Sequence, residues 1–157
     1  MRPAESHFRQ DLVLHEAATR IRKFSGLRHD ERHNKPLIVV VTKYDAWSCL
    51  LPGLRDVQSL RVVNNEGLCA LEWEKVKLQS NRLRTILWDL APELVSGAEG
   101  FAQEVLYIPV SATGCSPRDD LTIRPCDIHP CWVEVPMLAA LARWAKSLIP
   151  YVANVKR

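Results

Sequence analysis

The chain has 157 residues, 47% of them hydrophobic and 25% charged, with a formal net charge of +3. Length and composition fit one globular domain that buries a single modest core, and they exclude a low-complexity chain. The longest aliphatic run, Leu37 to Val41, is too short to cross a bilayer, and the N-terminus has no apolar block of the secretory kind. No membrane partner is therefore expected, and a cytoplasmic location is. Residues 1–35 hold eight basic side chains against five acidic, but acids interrupt every basic cluster, which reads as a solvated helix face and not as a nucleic-acid footprint. Five cysteines (49, 69, 115, 126 and 131) form an odd set without a regular framework, as free thiols in a reducing compartment would.

Residues 6–25 are the first predicted helix, because Leu14, Ala17, Ala18, Ile21 and Phe24 recur at helical spacing and Gly26 follows as a terminator. A polar connector leads to Pro36 and then to Leu37-Ile-Val-Val-Val41, a β-branched run typical of a strand covered on both faces. The strand ends in Thr42-Lys43-Tyr44-Asp45. Residues 60–73 read either as a hairpin about Asn64-Asn65-Glu66-Gly67 or as a helical lead-in. A helix over 73–91 follows, with Val76, Leu83, Ile86, Leu87 and Leu90 on one stripe and Pro92 ending or kinking it. The second apolar strand lies within residues 104–114 and closes on Ser111-Ala112-Thr113-Gly114. A proline-rich segment without periodicity, about 115–133, is expected to be a flexible loop. The last helix starts at Pro136, a good first helical position, with Met137, Leu138, Leu141, Ala145 and Leu148 as its stripe.

Helix, strand, helix, strand, helix is the order of an α/β layered domain with a parallel sheet. In open α/β sheets, ligands bind beyond the carboxyl ends of the strands. Both strands here end in candidate binding chemistry, so the two tips are expected to meet at one crevice.

In these two motifs and their order, the sequence resembles the P-loop GTPases of the Ras-like fold over about residues 8–150. Their Asn/Thr-Lys-x-Asp motif follows an aliphatic strand, and a Ser-Ala-Lys/Thr motif follows the next strand and precedes the final helix. The resemblance implies a partial Ras-like, Rossmann-like three-layer domain, with a short parallel sheet flanked by helices and all 157 residues in one domain. It also implies roles. Asp45 would accept the adjacent ring N–H and amino donors of guanine, which a carboxylate can do at once. Lys43 would lie along the base and Thr42 would tie the loop to neighbouring backbone. The Ala112 amide would face the guanine carbonyl, with Ser111 and Thr113 shaping the turn.

The sequence departs from that family where phosphate and Mg²⁺ are held. It contains neither Gly-x-x-x-x-Gly-Lys-Ser/Thr nor Asp-x-x-Gly, and its six glycines have no such spacing. It resembles the C-terminal half of the domain. One bidentate base contact discriminates by about 1–3 kcal/mol, whereas micromolar affinity needs about 8 kcal/mol. GTP or GDP should therefore bind weakly, Mg²⁺ only with a partner half, and the chain alone should carry no catalytic residues and not hydrolyse GTP. The missing half would leave one edge of strand 37–41 unpaired, so a homodimer through that edge, or a P-loop-bearing partner, is expected. The alternative is a non-catalytic interaction or oligomerisation module with a vestigial GTPase fold. Cys115, Cys126, His129 and Cys131 offer a third reading as a zinc site, at a spacing that matches no common knuckle.

Overall fold

The structure is a computed structural model. It describes residues 9–28, 30–62, 69–117, 122–144 and 151–152. Expectations that fall on residues 6–8, on the Asn64–Gly67 turn, on residues 118–121 and on Ala145 and Leu148 lie outside those described. The chain is mixed α/β and divides into two compact units, one of residues 1–37 and 87–105, the other of residues 38–86 and 106–157.

In the first unit, helix α1 (Gln10–Ser25) packs on a helix formed by Pro92–Phe101. Gly26 ends α1 in the left-handed conformation (φ 67°), its N–H returning to the Arg22 carbonyl, as a C-terminal glycine does. The Pro92 helix is absent from the sequence reading because Pro92 reads there as a stop. In fact Pro92 occupies the first turn of a new helix, where its missing N–H costs nothing. Ala18, Phe101 and Ala102 form the small core, with Leu37 and Val105 packed against them. The Arg22 guanidinium lies 5.6 Å over the Phe101 ring and donates to the Gly100 carbonyl at 3.0 Å.

Only part of the expected α1 stripe is used. Ala18 is buried and Leu14 half-buried, but Ala17 and Ile21 are exposed and Phe24 is 85% exposed. The reason is the partner. An added Cβ at Gly97 would come within 3.6 Å of Leu14, so the helices approach closely along the face of Leu14, Ala18 and Arg22, turned away from Phe24.

β1 (Leu37–Val41) and β4 (Val105–Pro109) make a two-stranded sheet, of which residues 38–41 and 106–109 belong to the second unit. They run parallel. Towards the start of each strand the Leu37 N–H donates to the Glu104 carbonyl, and at the finish the Val110 N–H donates to the Val41 carbonyl at 2.9 Å. Residues 106–109 of β4 are buried, whereas no residue of β1 is, and Val40 is 43% exposed. This corrects the expectation that β1 is covered on both faces. A β-branched run records strand propensity, and its second cover depends on what lies beside it.

A second, mixed sheet has the order β2 (Leu60–Val62), β3 (Cys69–Glu72), β5 (Tyr151–Val152). Leu60 pairs Leu71 in antiparallel register, which settles the hairpin against the helical lead-in, and Leu71 pairs Tyr151 in parallel. Helix α3 (Trp73–Leu90) buries Val76, Leu83 and Leu87 of its expected stripe and leaves Leu90 in solvent. The helix Pro92–Phe101 is α4 in this order, with the four-residue α2 (Tyr44–Trp47) directly after β1. Helix α5 (Val135–Trp144) buries Val135, Ala139 and Ala142, not the predicted Met137, which is 66% exposed. Ala139 and Ala142 are buried, Leu138 and Leu141 half-buried, and Met137 and Trp144 exposed.

Candidate functional site

The carboxyl ends of β1 and β4 meet in the second unit. The Tyr44 N–H, just past β1, donates to the carbonyl of Val110, just past β4, at 3.0 Å. Tyr44, the variable position of Thr-Lys-x-Asp, is buried and its hydroxyl donates to the Leu51 carbonyl at 2.8 Å. Burial pushes its phenol above the usual range. Trp47 meets the Tyr44 ring edge-on and donates its indole N–H to the Thr42 carbonyl at 2.9 Å. Thus an aromatic pair pins the turn from behind and leaves Thr42, Lys43 and Asp45 at its front. Lys43 stands in the left-handed region (φ 57°), uncommon for a residue with a Cβ.

The loop after β4 is strapped from the other side. Ser111 and Cys131 exchange both backbone hydrogen bonds, at 3.0 and 2.8 Å, and the His129 N–H donates to the Thr113 carbonyl at 2.8 Å. Gly114 (φ 67°) lies under that strap, where an added Cβ would sit 1.7 Å from the His129 carbonyl oxygen. Its own carbonyl accepts from the Arg55 guanidinium. Cys131 is buried, and burial raises its thiol above the ordinary value.

Asp45 joins the two tips. Gly114 donates its N–H to the Ser111 hydroxyl at 2.9 Å, and that hydroxyl donates in turn to Asp45 Oδ1. The Ser116 hydroxyl donates to Asp45 Oδ2 at 3.3 Å. The carboxylate is therefore oriented by both oxygens, each of which keeps a second lone pair for a further donor.

A cavity of about 580 Å³ opens beside this carboxylate, within the size range of small-molecule sites. Thr42, Lys43, Asp45, Ser111, Ala112 and Thr113, the six residues singled out in the sequence, all line it. Among the described residues, the Ala112 N–H has no hydrogen-bond partner and the Lys43 ammonium no ion pair. Ser116, Pro117, Ile123 and Val133, which the sequence did not point to, complete the wall together with Cys115, read from the sequence as a candidate zinc ligand. Ser116 lies close enough to the Ser-Ala-Thr-Gly motif to have been included; nothing in the spacing points to Ile123 or Val133.

Among the described residues, no three His, Cys, Asp or Glu side chains gather as a metal site, so Cys115, Cys126, His129 and Cys131 lend no support to zinc. No described helix is long and apolar enough to cross a membrane. No protein-family profile, no curated protein and no solved structure matches the chain.

Proposed function

We propose that the second unit is a guanine-base recognition module of partial Ras-like build, which keeps the base side of a GTPase site and lacks its phosphate side. The observation that carries this reading is the convergence of two strand ends on one cavity, with an oriented Asp45 carboxylate and the unpartnered Ala112 N–H on its wall. A carboxylate accepts two adjacent donors at once, and a neighbouring amide supplies the donor that the adjacent ring carbonyl needs. Thr42, Lys43 and Thr113 line the same cavity. Phosphate and Mg²⁺ chemistry would have to come from a P-loop-bearing partner, so the chain by itself is a binder and not a GTP hydrolase.

The test is a chemical-shift titration with guanosine and adenosine. Guanosine is expected to move the resonances of residues 42–46 and 111–116, and adenosine to leave them in place. Asp45→Asn exchanges one acceptor oxygen for a donor and should weaken guanosine binding by at least about tenfold, or about 1.4 kcal/mol. Equal response to both nucleosides, or an indifferent Asp45→Asn, overturns the reading.

A second reading, assembly through a sheet edge, rests on a separate observation. By the alternation of a parallel ladder, the N–H and C=O groups of Leu37, Val39 and Val41 face β4, and those of Ile38 and Val40 face outward. No strand pairs that outer edge among the described residues. The outer edge of β4 is different, since the Tyr107 N–H donates to the Ser80 hydroxyl at 2.9 Å and Pro109 has no N–H. One edge of this sheet is closed and the other is open.

A further inference from the structure

Resting on the base-recognition reading, we infer that the ligand of this cavity carries no phosphate: it is a neutral, flat heterocycle with adjacent ring N–H and amino donors beside a carbonyl, either as a nucleoside or as a pterin. Charge is the first ground. Among the described residues lining the cavity, Lys43 is the one cation and Asp45 the one carboxylate, so their formal charges cancel. A phosphate site needs excess positive charge or several convergent backbone N–H groups. Here four backbone N–H groups around the mouth are already committed: Tyr44 to Val110, Ala46 to Lys43, Ser111 to Cys131, and Gly114 to the Ser111 hydroxyl.

Wall chemistry is the second ground. Val110, Pro117, Ile123 and Val133 present apolar surface to a ligand whose polar edge meets Asp45 and Ala112. Apolar walls with a few placed polar groups suit an uncharged ring system and would desolvate a phosphoryl group without repaying it.

The experiment titrates the full chain with guanosine, GMP, GDP, inosine and pterin, with and without Mg²⁺, by calorimetry or chemical shift. Guanosine or pterin is expected to bind at least as tightly as GMP and GDP, within about threefold and without response to Mg²⁺. Inosine, which lacks the amino donor, should bind at least about tenfold more weakly than guanosine. Asp45→Asn should abolish the nucleoside and pterin responses and leave any diffuse attraction of phosphates to this basic chain untouched. GDP binding about tenfold or more tightly than guanosine overturns this inference and leaves base recognition standing. Binding by none of the five overturns both.

Discussion

Gly114 is the residue at which the loop has no freedom. Its backbone is left-handed and the His129 carbonyl occupies the space a side chain would need. A Cβ in left-handed backbone costs about 1–2 kcal/mol, and forced overpacking adds about 1–3 kcal/mol. Gly114→Ala should therefore lower unfolding stability by at least about 2 kcal/mol, read as a lower urea midpoint with an unchanged slope. Tyr44 and Cys131 give a second handle. Burial raises both above their ordinary values of 10.0 and 9.0, so folding favours their neutral forms. An acid whose folded value is raised loses more protons in the unfolded state, and its contribution is present below the unfolded value and falls as pH rises past it. Stability should be flat with respect to these groups below pH 9.0 and decline above it, steepening past 10.0. Urea unfolding from neutral to strongly alkaline pH checks this, and Tyr44→Phe should remove the upper part of the decline. At this scale the sequence was informative about chemistry and silent about support: Thr42, Lys43, Asp45 and the Ser-Ala-Thr turn were legible as polar groups after apolar strands. Tyr44 as the anchor and Ser116 as a clamp were not, because their roles depend on partners at other positions in the chain.

Element existence was legible where periodicity is local. Strand β1 matches its predicted bounds, β4 lies within its predicted segment, α3 ends within one residue of expectation, and Gly26 stops α1 as expected. Element burial was less legible, because it is a property of neighbours. Strands β1 and β4 are similarly aliphatic, yet β4 is buried and β1 half-exposed. Helix α1 shows the same limit: its apolar residues outnumber what its contact face can cover, and the close approach at Gly97 of α4 selects the face of Leu14. Helix α4 was missed for a different reason, since proline is a terminator when read from its N-terminal side and an initiator when read from the other.

For the whole chain, the coarse expectation of an α/β protein with a short parallel sheet is what the structure has, while its division into two compact units was not visible in composition or spacing. The consequence for assembly follows from the open edge of β1. Its outward groups belong to Ile38 and Val40, flanked by half-exposed aliphatics, and no charge, proline or bulge lies within the strand to discourage pairing. A second copy can satisfy the same edge on both chains at once if the two β1 strands run antiparallel about a two-fold axis, the commonest symmetry of homodimers. Self-association at tens of micromolar is the expected outcome in sedimentation or light scattering. Val40→Pro is the discriminating variant. It deletes an N–H that faces away from β4, so the internal ladder survives, as edge-strand prolines permit. The variant should keep its circular dichroism and become monomeric. Wild-type protein that stays monomeric at that concentration excludes the edge as a self-association surface, and a Val40→Pro protein that folds and still dimerises moves the interface to another face.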